Sequence, residues 1–133
     1  MIPSTQPSPL IALGCGGTGG HFFPGLAVAQ QLVQCGGTVM LFVSGKSVDQ
    51  QALESVSGME FVTLPAVGLS RGGVLSFLRG FGQSYRVCKR LFDTRPPQAA
   101  LAMGGFTSAP PLLAAKRAGA QVFLHENFYA FAS

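Results

Sequence analysis

The chain has 133 residues, 47% of them hydrophobic and only 11% charged, with a formal net charge of +4 at pH 7. This length is sufficient for one domain with its own hydrophobic core. No apolar run reaches the ~18 residues of a transmembrane helix, and residues 1–9, with three prolines and no lysine or arginine, lack the basic region of a signal peptide. The three cysteines form no C-x-x-C pair, so we expect reduced thiols and no metal site.

The first predicted element is a strand over residues 10–14, and a glycine-rich segment leads from it into a predicted helix over 23–35. The helical pattern opens at Pro24, and the segment reads Gly14-Cys15-Gly16-Gly17-Thr18-Gly19-Gly20-His21. A helix N-terminus offers N–H groups without intrahelical partners and the positive end of the helix dipole. Glycines let a backbone approach phosphate oxygens closely. The segment therefore predicts a ligand that carries phosphate, with His21 as an ionisable group at its edge.

Two familiar phosphate-binding motifs fit this region poorly. The G-x-G-x-x-G match that starts at Gly14 is the dinucleotide fingerprint, which also needs an acidic residue after the second strand, yet none occurs there before Asp49. A P-loop that ends at Ser47 lacks its first glycine, because Met40 occupies that position. A nicotinamide-dependent oxidoreductase is therefore a weaker alternative, and a glycine-rich turn without a ligand is another.

The remaining predicted elements alternate between short apolar strands and helices. They are strand 38–43, helix 48–56, strand 60–64, helix 73–93, strand 99–103, helix 109–118 and strand 121–125. Continuous apolar strands that alternate with helices are typical of a parallel sheet covered on both faces. We therefore predict an α/β fold, a Rossmann-like open parallel sheet with helices on both faces, in residues 10–133 after a loose lead-in over 1–9.

A second junction of strand, glycine loop and helix follows the strand at 99–103. Its loop is Gly104-Gly105-Phe106-Thr107-Ser108, and Pro110-Pro111 stand in the first turn of the next helix. Proline suits the start of a helix, and Thr107 or Ser108 has a hydroxyl that can cap it. Ligands of open α/β sheets bind at the carboxyl ends of strands. We therefore expect both glycine loops, and His125-Glu126-Asn127 after the last strand, to lie along one edge and bind a diphosphate or a sugar with its phosphate.

The predicted helix over 73–93 combines a long apolar stripe with a basic flank. The stripe, at spacings of three and four residues, consists of Val74, Leu78, Phe81, Tyr85, Cys88 and Phe92, and Leu75, Phe77 and Leu91 widen it. The flank consists of Arg79, Arg86, Lys89 and Arg90. Such a stripe is ordinarily core, whereas a basic, apolar helix can also lie on an anionic membrane. A solvated basic face is the alternative, and no nucleic-acid-binding motif accompanies the charge.

The motifs together resemble those of the bacterial MurG-type N-acetylglucosaminyltransferases. The segment Gly16-Gly17-Thr18-Gly19-Gly20-His21, followed by Pro24 and Leu26-Ala27-Val28-Ala29, is similar to the family's first glycine loop. The segment Gly104-Gly105-Phe106-x-Ser108-x-Pro110 is similar to the second, and His125-Glu126 is similar to the start of a His-Glu-Gln-Asn motif. Phe106 stands where the family usually has Tyr, and Asn127-Phe128 stands where Gln-Asn is usual.

This resemblance implies one half of a GT-B glycosyltransferase, in which two Rossmann-like domains face a cleft. Such enzymes transfer N-acetylglucosamine, with inversion, from UDP-N-acetylglucosamine to undecaprenyl-linked lipid I, giving lipid II for peptidoglycan at the inner face of the cytoplasmic membrane. Residues 10–133 are then expected to be an incomplete N-terminal acceptor-binding domain without the C-terminal donor domain, and to be inactive alone. The alternative is a non-catalytic module that binds polyprenyl diphosphate and docks a separate donor domain.

The residues and the resemblance together predict the site positions. His21 is the expected catalytic base or hydrogen-bonding residue, since a neutral imidazole accepts a proton near pH 7. The expected substrate-binding residues are Gly16, Gly17, Thr18, Gly19, Gly20, Gly104, Gly105, Phe106, Ser108, His125, Glu126 and Asn127. The expected contacts with an anionic membrane are Leu75, Phe77, Arg79, Arg86, Lys89 and Arg90. No cofactor, metal or nucleic acid is expected.

Overall fold

A computed structural model describes residues 8–15, 19–44, 58–65, 73–104 and 108–125. Its elements, in chain order, are β1 (Leu10–Gly14), α1 (Gly19–Gln34), β2 (Thr38–Ser44), β3 (Met59–Leu64), α2 (Gly73–Thr94), β4 (Ala99–Ala102), α3 (Ala109–Arg117) and β5 (Gln121–Leu124). The five strands form one sheet in the order β3-β2-β1-β4-β5, and every pair of neighbours is parallel. The predicted open parallel sheet is confirmed.

Two cores lie on opposite faces of this sheet, because successive strand residues point to opposite sides. Ala12 and Phe42 belong to the core beneath α2 and α3, where the Phe42 ring meets Phe92 edge-on with 5.7 Å between centroids. Leu13 and Leu41 belong to the core beneath α1. Helices therefore cover both faces, as the continuous apolar strands indicated.

Most element boundaries lie within one residue of their predicted positions. The last residue of the lead-in predicted over residues 1–9 is hydrogen-bonded to the start of β2, because Pro9 O accepts the N–H of Thr38 at 2.8 Å. Residues 1–7 and the helix predicted over 48–56 lie outside the described residues.

The predicted start of the first helix at residue 23 is wrong, because α1 begins at Gly19 and contains Pro24. The first N–H groups of any helix have no intrahelical partner, and a proline shortly after that first turn removes one hydrogen bond. Pro24 therefore does not prevent the helix from extending back to Gly19. As a consequence, Gly19, Gly20 and His21 belong to the first turn of a helix and not to the loop before it.

The apolar stripe of α2 is core along only part of its length. With 22 residues, α2 is about 33 Å long, whereas strands of four to seven residues span only about 13–23 Å. Its buried residues, Ser84, Cys88 and Phe92, lie in the C-terminal half. Val74 and Leu78, predicted as core, are exposed, because α2 is longer than these strands and its buried residues lie only in its C-terminal half.

Candidate functional site

Three segments that carry the predicted motifs leave the sheet side by side at its carboxyl edge. The Met103 N–H donates to Gly14 O at 2.8 Å, so the segments after β4 and β1 leave as neighbours. The His125 N–H donates to Ala102 O at 2.9 Å, which places the segment after β5 next to them. The predicted convergence at one edge is confirmed up to the points where these segments leave their strands.

The first motif ends in the N-terminal turn of α1. Gly19, Gly20 and His21 are the first three residues of this helix, so their N–H groups precede its first intrahelical hydrogen bond. No acidic residue occurs in this turn to occupy these donors or to neutralise the positive end of the dipole. A helix end of this kind suits an anion. Gly16, Gly17 and Thr18 lie outside the described residues.

The second motif begins at Gly104, which is buried and has a φ of +139°, a conformation that glycine adopts more easily than other residues. Ser108 is fully buried, and its hydroxyl donates to Gly104 O at 2.6 Å. Gly105 and Phe106, the predicted binding residues between them, lie outside the described residues.

Of the two predicted capping residues, Ser108 makes no capping hydrogen bond to α3, and Thr107 lies outside the described residues. A capping side chain accepts from the N–H of the second or third helical residue. In α3 those residues are Pro110 and Pro111, and proline has no N–H. The two prolines therefore leave the Ser108 hydroxyl to bond to Gly104.

The two motifs meet at Gly14, which the sequence analysis placed in the loop but not among the site residues. A Cβ at Gly14 would lie 3.0 Å from both Cα and Cβ of Ser108 and 3.1 Å from its Oγ. Glycine at this position therefore allows the start of α3 to pack directly on the end of β1. The sequence signal for this contact was a glycine at the end of a strand, where the close approach of another backbone often requires glycine.

Gly25 gives α1 a similarly close contact with the end of β1. A Cβ there would overlap Sγ of Cys15 and lie 3.2 Å from Cδ2 of Leu13. Cys15 is fully buried, and this burial raises the pKa of its thiol to about 12. It therefore remains a neutral thiol at ordinary pH and packs between strand and helix, which excludes it as an activated nucleophile.

The other polar residues predicted at this edge follow β5. His125 is half-buried at the end of that strand, and Glu126 and Asn127 come after the described residues. Within the described ranges, no three residues of the types His, Cys, Asp and Glu are grouped as a metal site requires. The backbone N–H groups of α1 and the imidazole of His125 are groups that suit an anionic or hydroxyl-rich ligand.

The N-terminal half of α2 presents exposed apolar side chains beside basic ones, and we call residues 74–81 the α2 overhang. Val74, Leu75 and Leu78 are 65%, 81% and 58% exposed. Of the predicted membrane contacts, Phe77 is half-buried, Arg79, Arg86 and Arg90 are exposed, and Lys89 pairs with Asp93 at 3.1 Å. A contiguous apolar surface of this kind typically marks an interaction site. In the part of the chain that the structure describes, no helix has the length and hydropathy to span a bilayer.

Comparison with known proteins identifies a family and a set of relatives. The model of the glycosyltransferase family 28 N-terminal domain matches residues 11–130. A UDP-N-acetylglucosamine–N-acetylmuramyl-(pentapeptide) pyrophosphoryl-undecaprenol N-acetylglucosamine transferase of Methylobacterium nodulans is 37% identical over 134 residues, covering 92% of this chain and 33% of the relative. The protein of that name from Pelobacter propionicus is 37% identical over 116 residues, covering 84% and 31%. The chain thus spans about a third of the length of these curated relatives.

Solved structures match the same architecture. The crystal structure of Acinetobacter baumannii MurG has a TM-score of 0.71 and 25% identity, with 88% of this chain and 35% of that chain covered. The structure of Phytolacca americana UGT2 has a TM-score of 0.67 and 19% identity, with 92% and 31% covered. The match to the Phytolacca americana structure shows a shared fold and nothing more. The described sheet and helices therefore have the architecture of one half of a GT-B glycosyltransferase.

Proposed function

The chain belongs to the glycosyltransferase family 28 N-terminal domain family, and on this premise we propose that it is the acceptor-binding half of an N-acetylglucosaminyltransferase. The proposed reaction moves N-acetylglucosamine from UDP-N-acetylglucosamine to undecaprenyl-diphospho-muramoyl pentapeptide, in agreement with the names of its relatives. The observation that carries the proposal is the meeting of the first motif, the second motif and His125 at one sheet edge. A lipid-linked diphosphate sugar offers both an anion and hydroxyls to such an edge.

In the proposed reaction, the acceptor hydroxyl oxygen attacks the anomeric carbon of the donor sugar. The bond between that carbon and the UDP oxygen breaks, UDP leaves with the electron pair, and the hydroxyl proton passes to a base. We assign the base to His21, because the positive end of the α1 dipole favours a neutral imidazole that can accept a proton. The N–H groups of Gly19 and Gly20 bind the acceptor diphosphate, and His125 orients the sugar.

The donor nucleotide is proposed to bind mainly to a second domain, so this chain alone binds acceptor without turnover. A second candidate function is a non-catalytic module that binds polyprenyl diphosphate and docks a separate donor domain. It needs only the anion-binding start of α1, where Gly19 and Gly20 lie in a first turn that has no acidic residue. Transfer of labelled sugar after mixing with a separately produced donor domain supports the first function, and docking without transfer supports the second.

The first test places an acid at the N-terminus of α1, in the variant Gly20→Asp. A carboxylate near this helix end stabilises the helix by about 0.3–1 kcal/mol, but it competes with a bound phosphate for the same N–H groups and repels it. We therefore expect unchanged or higher thermal stability together with at least tenfold weaker binding of geranylgeranyl diphosphate, measured by calorimetry.

The matched control is Gln30→Asp, which places the same acid at an exposed position of α1 ten residues after Gly20, about 15 Å along the helix. It is expected to leave the affinity for the diphosphate within about twofold, because a screened charge beyond the Debye length of about 8–10 Å contributes little. Equal affinities of Gly20→Asp and the unmodified chain would contradict the assignment of the diphosphate to α1.

We also propose that the α2 overhang attaches the chain to the cytoplasmic face of the bacterial inner membrane as a peripheral protein. The exposed apolar side chains and the neighbouring arginines support this, since the combination suits an anionic lipid surface. The position of α2 adds to the argument. Its N-terminal half lies at the same sheet edge as the proposed acceptor site, where a lipid-linked acceptor must be reached.

Charge reversal of the basic flank tests the membrane proposal. Each exposed arginine near an anionic surface contributes about 1 kcal/mol, so Arg79→Glu with Arg86→Glu is expected to reduce binding to phosphatidylglycerol vesicles about 30-fold or more at low salt. Leu75→Ser with Leu78→Ser is expected to remove the binding that persists at high salt, where charges are screened. Co-sedimentation measures both effects.

The control for the charge reversal is Lys116→Glu with Gln30→Glu and Gln31→Glu, which changes the net charge equally at exposed positions of α3 and α1. If this control lost vesicle binding as strongly as the α2 variant, only overall charge would matter. No preference of the unmodified chain for anionic over phosphatidylcholine vesicles would show that the basic flank is a solvated face.

A further inference from the structure

We propose that Ser108 is a positioning residue, which ties the two ends of the second glycine motif together and fixes them against the start of the first motif without touching the ligand. The part of this inference that concerns ligand affinity rests on the proposed acceptor-binding function. The geometry that carries it involves only Gly14, Gly104 and Ser108, all of which the structure describes.

The Ser108 hydroxyl is directed toward the backbone of its own motif. It is fully buried and donates to Gly104 O at 2.6 Å, at the short end of the range for O–H···O hydrogen bonds. A hydroxyl has a single proton to donate, and this one already serves the carbonyl four residues earlier. The hydroxyl therefore joins the two ends of the motif and is not presented to a ligand.

The residues that follow Ser108 explain why its hydroxyl does not cap α3. Serine at the N-cap position normally accepts from the second or third helical N–H. Pro110 and Pro111 remove both donors. The sequence Ser-Ala-Pro-Pro thus directs the hydroxyl back toward Gly104, where a buried carbonyl would otherwise lack this partner.

Ser108 also contacts the start of the first motif. Ser108 packs on Gly14 so closely that a Cβ at Gly14 would lie 3.0 Å from its Cα. Gly14 is also tied to the second motif by its carbonyl, which accepts the Met103 N–H at 2.8 Å. Because the first motif starts at Gly14, the Ser108 contact sets the position of one motif relative to the other. A site held this way before ligand arrives avoids an ordering cost on binding.

The test compares Ser108→Ala with Ser84→Ala. Both serines are fully buried, but the Ser84 hydroxyl has no hydrogen-bond partner among the described residues, so its loss removes no bond. We expect Ser108→Ala to lower the ligand-free melting temperature and to weaken geranylgeranyl diphosphate binding about tenfold, the scale of one lost buried hydrogen bond. Binding is measured at a temperature where both variants are fully folded. Ser84→Ala removes a buried hydroxyl that has no partner in the described part of the chain, so it is expected to leave the affinity unchanged and the melting temperature unchanged or higher.

Two results would overturn the proposal. A lower melting temperature with unchanged affinity would mean that Ser108 serves stability alone. Weaker binding with an unchanged ligand-free melting temperature would mean that the hydroxyl contacts the ligand directly.

Hydrogen exchange in the ligand-free protein tests whether Ser108 couples the two motifs, and it needs no ligand. Ser108→Ala is expected to accelerate amide exchange in a peptide covering the first motif, residues 13–22, as well as in the second. Acceleration confined to the second motif would show that Ser108 does not position one motif against the other. If the unmodified chain fails to bind the diphosphate, the proposed function fails, while the exchange result still decides the linkage.

Discussion

Leu13→Ala is expected to destabilise the chain by about 2–5 kcal/mol, a large part of the 5–15 kcal/mol that a domain typically has. Leu13 is fully buried on the central strand β1 and belongs to the core beneath α1. The truncation loses the transfer energy of the side chain and leaves a cavity in a sheet that parallel pairing on both sides holds rigid. The urea midpoint should fall, and the melting temperature should drop by roughly 10 °C.

Leu75→Ala is the matched control, because the same atoms are removed from a side chain that is 81% exposed. Leucine and alanine have similar helix propensities, so its effect should lie within about 0.5 kcal/mol of zero. Comparable losses in the two variants would mean that the α2 overhang is packed in solution and would contradict its description as an exposed surface.

Gly25→Ala is expected to destabilise the chain by about 1–3 kcal/mol, although alanine normally favours a helix by up to about 1 kcal/mol. The new methyl overlaps Sγ of Cys15, and Leu13 and Met103 close the site on its other sides. Adding Cys15→Ala removes the overlapping sulfur, so the double variant should be more stable than the sum of the two single changes predicts. A thermodynamic cycle from urea unfolding measures this coupling.

Gly82→Ala provides the control for Gly25→Ala. Gly82 also lies within a helix, but a Cβ there meets nothing within 4 Å. This variant should therefore show the ordinary stabilisation by alanine, up to about 1 kcal/mol. If the two glycine variants changed stability in the same direction and by similar amounts, close packing of α1 on β1 would not be the reason for Gly25.

The fold was predictable from the sequence because its signals are local. Apolar strands alternating with amphipathic segments predicted the parallel sheet, and glycines after strands indicated the edge that carries the proposed site. The apolar stripe of α2 was also predictable from the sequence. Periodicity predicts which residues share a helix face, but it does not predict how much of that face the neighbouring strands cover. The exposure of Val74 and Leu78 follows from the lengths of other elements, which no local pattern contains.

The errors at helix starts have different physical origins. Pro24 indicated the start of α1, yet the helix begins at Gly19. An interior proline loses one hydrogen bond and crowds the carbonyl four residues earlier, which can kink a helix without ending it. The missing Ser108 cap could have been predicted, since Pro110 and Pro111 visibly lack the N–H groups that a cap needs. The contact between Gly14 and Ser108 could not, because it joins distant parts of the chain.

The central position of β1 has a consequence for synthesis on the ribosome. Ile11 pairs with Val39 on one side but with Ala99 on the other, and parallel strands cannot form local hairpins. A nascent chain can therefore assemble β1, β2 and β3 while one side of β1 still lacks its partner. Such late, long-range pairing slows folding and leaves a strand edge open to wrong partners meanwhile. Gly104, Ser108 and His125 are synthesised after that point. The carboxyl edge of the sheet, where the proposed site lies, is therefore completed only after β4 and β5 have joined the first three strands.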